Sequence, residues 1–225
     1  MKKIGMIVAI EIDAVLNRYG KPIAEKDAAG CRILEYRTEK YSLVVAHCGV
    51  GEIAAASATQ YLITGYGVDL ILNFGVVGGL TAAMSKTKTC IVRKVVHYDF
   101  DTSAIDGIEV GRYLQYPDAY LPATEELVEK ALSIYPDLVP VICASADKFV
   151  ADPAKKEELH TRYGADICEM EAAGVVLTCN RNGVPCVIVK IVSDGIGGGA
   201  EEFLRAKYET ADICFGIVDR IIDRL

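Results

Sequence analysis

Seven runs of this chain are continuously apolar and rich in valine and isoleucine: Lys3–Ala9, Arg32–Tyr36, Ser42–His47, Leu70–Phe74, Thr89–Val96, Val139–Ala144 and Cys186–Val192. None alternates strictly between apolar and polar. A strand with one wet face alternates, whereas a strand covered on both faces has no need to. The runs therefore predict a sheet buried on both sides, with helices supplying the cover. Candidate helices are Gly51–Gly65, Thr124–Tyr135, Asp152–Arg162, Glu169–Asn182 and Glu201–Leu225. Thr124 reads as an N-cap before Glu125 and Glu126, and Asp152 as a cap before Pro153. In the last helix Ile213, Ile217 and Ile221 recur every four residues on one apolar face. At 225 residues the chain suits one sizeable core. The expectation is an α/β three-layer sandwich over residues 1–225, a single domain with a central mixed β-sheet flanked by helices.

Composition narrows the function. The net charge is -7 and no basic run occurs, which argues against binding nucleic acid or an anionic membrane surface. Met1-Lys2-Lys3 and the apolar Ile4–Ile10 look like the start of a signal peptide, but Glu11 and Asp13 follow at once and no small-residue cleavage site appears. No apolar run reaches the length of a membrane span, so the cytoplasm is the expected location. The eight cysteines form no C-x-x-C pair and read as reduced core thiols. His47, His97 and His160 stand apart from any ligand cluster, so neither a metal nor a cofactor is expected. The segment His97–Leu121 has no clear period and carries Tyr98, Phe100, Tyr113, Tyr116 and Tyr120. It is expected to be a long functional loop or a subunit contact.

Several motifs fall at strand ends. Gly49-Val50-Gly51-Glu52-Ile53-Ala54 fits the dinucleotide pattern G-x-G-x-x-A. The acid about twenty positions on would be Asp69, which precedes a strand where a ribose-binding acid should end one. The milder reading is a backbone turn that lets a ligand approach. Gly75-Val76-Val77-Gly78-Gly79 follows another strand and reads equally as a tight crossover or a ligand-binding turn. Glu169 and Glu171 open a helix, where carboxylates are ordinary caps, but their apolar neighbours would leave a buried carboxylate seeking a partner. Asp194 ends the most apolar strand, a favourable place for a catalytic acid, although a solvated loop acid would read the same way. Glu11 and Asp13 end the first strand. Several acids at one sheet edge, without a metal set, suit acid, base and sugar-gripping work at a glycosidic bond.

Taken in order, six stretches resemble the nucleoside phosphorylase/nucleosidase superfamily, and within it the 5′-methylthioadenosine/S-adenosylhomocysteine nucleosidases. They are Ile4–Ala9, Cys48–Gly51, Asn73–Leu80, Ala146–Val150, Glu169–Ala172 and Val192–Asp194. The resemblance implies hydrolysis of a purine nucleoside with release of adenine, a nucleoside phosphorylase-like fold, and a homodimer in which the neighbouring subunit completes the site. It assigns Glu171 to the ribose hydroxyls and Met170 to the sugar face. Phe149 would stack on the purine, the Val150 backbone would read the base edge, and Val50 would wall the site. Asp194, oriented by Ser193, would protonate N7, and Asp13 would activate the attacking water. For this Asp194 must be protonated near neutral pH, which burial would favour, while Glu171 stays negative. The sequence departs from the family at four of its positions: Asp13 replaces glutamate, Val76 a small or polar residue, Lys190 an arginine and Ala200 an aromatic. A purine nucleoside phosphorylase is the nearest alternative, but the glycine stretches carry no arginine to clamp phosphate. A futalosine-type nucleosidase and a non-catalytic nucleoside-binding protein complete the alternatives.

Overall fold

All seven apolar runs are strands in the computed structural model, which describes residues 1–225. They are β1 (Lys2–Val8), β3 (Cys31–Arg37), β4 (Tyr41–His47), β5 (Leu70–Gly79), β6 (Thr89–His97), β8 (Val139–Ser145) and β10 (Cys186–Asp194). Three short strands join them: β2 (Ala24–Ala28), β7 (Tyr120–Pro122) and β9 (Ile167–Glu169). β1 lies between β4 and β5 and is parallel to both. β3 and β2 extend that arm antiparallel. On its other side β5 runs parallel to β10, and β10 is antiparallel to β6. β6 and β8 are parallel, as are β8 and β9, and β9 returns antiparallel to the far end of β5. Five strands thus close a ring, and β5 belongs both to the ring and to the open arm. The expected turn at Gly75–Gly79 is therefore strand, because its ladder with β10 continues through Gly75, Val76 and Val77.

Helices cover both faces, as the unbroken apolar runs require. α1 (Ile12–Tyr19), α4 (Glu125–Ile134) and α7 (Ala200–Ile222) share one core with Val187, Val189 and Ile191 of β10. α2 (Glu52–Tyr66) and α6 (Ala172–Asn182) share the other with Cys186, Ile188 and Val192. Alternate residues of one strand thus enter opposite cores, which leaves no position for a polar alternation. α5 (Pro153–Tyr163) packs Leu159 and Tyr163 into a smaller third cluster. Asp152 caps it, accepting from the Ala154 amide at 3.1 Å. Two local expectations change. Ile213 is 43% exposed, and the buried stripe of α7 runs instead through Cys214, Ile217, Val218 and Ile221. Thr124 spends its hydroxyl accepting from the Cys186 amide, at 2.9 Å, and tethers α4 to β10. The tyrosine-rich segment contains the single-turn α3 (Ser103–Asp106) and is anchored by stacking of Phe100 on Tyr113, 4.0 Å between centroids.

A buried polar joint fastens these layers. Ser145 Oγ, at the end of β8, lies within hydrogen-bond distance of Glu52 on α2 and 2.5 Å from Glu169 Oε1 on β9. It also accepts from the Ala173 amide at 3.1 Å. One hydroxyl carries one proton, so it can donate to only one of two carboxylates. The remaining contact is satisfied when Glu52 is protonated and donates to Ser145, which donates to Glu169. Burial, with the neighbouring Glu169 charge, raises the Glu52 carboxyl to about 8. The helices meet closely here: a Cβ on Gly174 of α6 would lie 2.4 Å from the Glu52 carbonyl oxygen.

This joint sets a pH dependence. A carboxyl whose folded value is raised favours the native state below its ordinary value near 4.5, and that contribution declines up to about pH 8. Glutamine reproduces the neutral donor and does not titrate. The melting temperature of Glu52→Gln relative to the parent, followed by circular dichroism, should therefore climb by several degrees from pH 5 to pH 9. For a chain this long about 1 kcal/mol corresponds to roughly 2–4 °C. A difference that stays flat or falls with pH would mean that the joint holds an ionised Glu52.

Candidate active site

The carboxyl ends of the parallel strands β1, β5 and β10 converge where β9 crosses the end of β5, the usual position for a ligand in an open α/β sheet. A cavity lies there, lined by Glu11, Glu171, Asp194, Met170, Phe149 and Val76 among others. No group of three or more His, Cys, Asp or Glu side chains is placed to hold a metal ion.

Glu11 is the first acid of the site. It is the N-cap residue of α1 and is buried. Its Oε1 accepts from the Val76 amide and its Oε2 from the Ile10 amide, both at 3.0 Å. A Cβ on Gly75 would come within 2.7 Å of Oε1, so only glycine leaves room for this carboxylate. Asp13, the acid expected here, is exposed in the first turn of α1 and does not line the cavity. β1 has already ended at Val8, so the alternation of an extended strand no longer governs residues 11–13. Two steps along a helix turn a side chain by about 200°, which sends Asp13 into water at a helix N-terminus, a favourable place for its charge.

Glu171 occupies the N-cap position of α6, and its Oε1 accepts from the Gly51 amide at 3.0 Å. Glu169, two residues earlier, fixes that position. It belongs to β9, not to the helix, and accepts from the amides of Glu171 at 3.1 Å and Ala172 at 3.0 Å. Lys190, in the middle of β10, donates to Glu169 Oε2 at 3.1 Å. Burial alone would push the Glu169 carboxyl up, but Lys190, Ser145 and the Ala172 amide outweigh it and hold it below its ordinary value. Burial and the Glu169 charge raise Glu171 to about 8, against the opposing pull of Lys190. That shift favours the neutral carboxyl and opposes the negative charge that the sequence reading gives Glu171.

Asp194 ends β10 and is 1% exposed. Ser193 Oγ lies 2.9 Å from its Oδ1 and 3.2 Å from the Val77 carbonyl oxygen. Its Oδ2 is 2.8 Å from Nζ of Lys156, which is wholly buried and also donates to the Gly195 carbonyl at 2.7 Å. The sequence placed Asp194 above an apolar strand with Ser193 to orient it; the structure adds an ammonium.

The aromatic wall pairs Phe149 with Phe203 of α7, edge to face at 5.3 Å. Ala200, at the position where the family carries an aromatic, is exposed, and Phe203 one turn later faces the cavity instead. Val50 and Met170 line the same cavity, and Val150 lines a small recess beside it with Phe149 and Asp194. Of the residues given a role in catalysis or substrate binding from the sequence, Asp13 alone is left outside; Ser193 reaches the site through Asp194. Sequence reasoning missed Lys156, Phe203 and the seating of Glu11. Two of these had a signal. Lys156 lies three and seven residues before Leu159 and Tyr163 on the buried stripe of α5. Phe203 shares a helix face with Ala200, three residues away.

Comparisons with known proteins bear on the family and the fold. The family model described as the Phosphorylase superfamily matches residues 3–223. The 5′-methylthioadenosine/S-adenosylhomocysteine nucleosidase of Shewanella putrefaciens is 30% identical over 203 residues, which cover 85% of each chain. The structure of the nucleosidase of the same name from Campylobacter jejuni superposes with a TM-score of 0.92 at 26% identity, covering 100% of both chains. That of the native futalosine hydrolase of Helicobacter pylori superposes with a TM-score of 0.94 at 25% identity, covering 100% of this chain and 98% of the other. The fold is the nucleoside phosphorylase-like α/β sandwich, and the chain belongs to the phosphorylase superfamily.

Proposed function

We propose that this chain is an N-glycosyl hydrolase that cleaves purine nucleosides, with 5′-methylthioadenosine and S-adenosylhomocysteine as its first substrates. The observation that carries this reading is the placement of the carboxylic side chains Glu11, Glu171 and Asp194, with Glu169, around one largely apolar cavity. Cleavage makes the sugar cation-like and the base anionic, so one acid must protonate the base and another group must stabilise the sugar. Asp194 protonates N7, held in orientation by Ser193. Glu171 grips the ribose hydroxyls, and a cationic C1′ beside it favours its ionised form. Met170 packs on the sugar, Phe149 and the Val150 backbone take the purine, and Val50 and Val76 wall the site. Glu11 holds and deprotonates the attacking water, the role the sequence gave to Asp13.

Charge supports water over phosphate as the nucleophile. Both buried lysines at the site are already paired, Lys156 with Asp194 and Lys190 with Glu169. The Val76 amide, a donor that an anion could use, is taken by Glu11. A phosphate dianion would meet carboxylates without a free clamp. The position of Phe203 leaves the 5′-substituent open, and the likeness to futalosine hydrolase makes futalosine the second reading.

Further features support a homodimer whose partner completes the alkyl pocket. Val50 and Ile53 beside the mouth, and Ile105 and Leu114 on the tyrosine-rich segment, are all more than half exposed. All eight cysteines are free thiols, in keeping with a cytoplasmic location. No helix is long and apolar enough to cross a membrane.

Three outcomes are expected. In a panel of purine nucleosides followed by chromatography, free adenine should appear from 5′-methylthioadenosine or S-adenosylhomocysteine at the same rate with or without phosphate. Strict phosphate dependence, with a sugar 1-phosphate as product, would make the chain a phosphorylase. Glu11→Gln should lower kcat by roughly 10²-fold or more, the usual scale for a lost general base, while Asp13→Asn stays within a few-fold of the parent. The reverse order would return the water to Asp13. Light scattering should give twice the 24.3 kDa chain mass; a fully active species at the single-chain mass would remove the shared pocket.

A further inference from the structure

Lys156 is a buried charged group beside the proposed acid that the reaction outlined above leaves unused. Its side chain crosses from α5 to the end of β10 and ends against Asp194 Oδ2 and the Gly195 carbonyl. No solvent reaches it. Glu202 of α7 also approaches this corner, but its Oε2 accepts from the Gly195 amide at 3.0 Å. Cys168 of β9 is the other titratable neighbour, and burial pushes its thiol up to about 12, so it stays neutral. Asp194 is thus the carboxylate that Lys156 meets, and an ammonium buried with a single carboxylate shares one exchangeable proton with it.

We propose that the acid of this site is the Lys156–Asp194 pair and not a lone carboxylic acid, with Lys156 holding the proton that Asp194 passes to the purine. Asp194 touches the base; Lys156 is a positioning residue that acts through it. The arrangement resolves a difficulty in the mechanism: a carboxylate paired with an ammonium carries no proton of its own to give. As the C1′–N9 bond breaks and its electron pair enters the purine, the proton between Nζ and Oδ2 moves onto Asp194, and Asp194 protonates N7. Ser193 accommodates both forms of Asp194. It donates to Oδ1 when Asp194 is ionised, and can turn its proton to the Val77 carbonyl when protonation at Oδ2 makes Oδ1 a weaker acceptor. The base leaves neutral, Lys156 is left as an amine, and Glu11 has gained the proton of the attacking water. After product release Glu11 gives up its proton to solvent and Lys156 regains one through Asp194, which lines the cavity, so protons balance over the cycle.

This inference rests on the nucleosidase reading, and base release by the parent chain tests that reading separately. The proton source is tested by the pH profile of kcat in the parent, Lys156→Met and Lys156→Arg, with melting curves for each. If an ammonium holds the proton, the parent's activity should persist beyond pH 8. In Lys156→Met the alkaline limb should move down by at least about one pH unit, because a carboxylic acid alone gives up its proton earlier. Activity below the new limb should stay within about tenfold of the parent, and KM should change less than about threefold. Lys156→Arg keeps the charge but does not release a proton, so it should bind nucleoside and turn over at least about tenfold more slowly at every pH. A parent whose alkaline limb falls between pH 4 and 6 would overturn the proposal without recourse to a variant. So would a Lys156→Met limb that stays in place while kcat drops evenly, or full rescue by Lys156→Arg.

Discussion

The site depends on one buried ion pair, Lys190 with Glu169. Lys190 comes from the centre of an apolar strand, where an unpaired ammonium would be prohibitively costly. Burial would lower it, but Glu169, Glu171 and Glu11 together hold it above its ordinary value. Glu169 in turn takes hydrogen bonds from Lys190, Ser145 and the first amides of α6. The pair therefore fixes where α6 begins, and the start of α6 fixes Glu171. Loss of one member of such a pair typically costs about 3–5 kcal/mol, because the other is left charged and buried. That dependence makes the pair a structural support for the catalytic carboxylates, separate from the chemistry they perform.

Around this support the same burial produces different carboxyls. Glu169 is held below its ordinary value because Lys190, Ser145 and the Ala172 amide face it. Glu52 and Glu171 are driven toward neutrality by burial and by the charge on Glu169. Glu11 is fixed by two backbone amides, and Asp194 faces its own lysine. Acid, base and sugar-binding roles call for carboxyls in different protonation states. Here the differences come from partners, since all five side chains are buried.

Much of the fold was legible in the sequence because double-sided burial leaves a plain trace. The seven apolar runs became strands, and the motifs Glu169–Glu171 and Ser193–Asp194 arrived at the same cavity. The ring closure was hidden because it depends on β9, three residues long, and on a glycine-rich stretch that pairs as strand instead of turning. Residues 11–13 show the limit of pattern reading. Whether Glu11 or Asp13 faces the site depends on where β1 ends and α1 begins, a boundary of two or three residues. The partner of Asp194 was hidden for another reason: Lys156 is 38 positions away, and only the packing of α5 brings them together.

The central claim is that a purine nucleoside sits among Glu11, Glu171 and Asp194 with its base at Asp194. A crystal structure with a non-hydrolysable purine nucleoside tests it most directly. The account predicts N7 within hydrogen-bond distance of Asp194, a ribose hydroxyl on Glu171, and a water on Glu11 facing C1′, with Asp13 still in solvent. A purine bound elsewhere, or a nucleoside in the cavity with Asp13 turned in and Glu11 turned away, would contradict it.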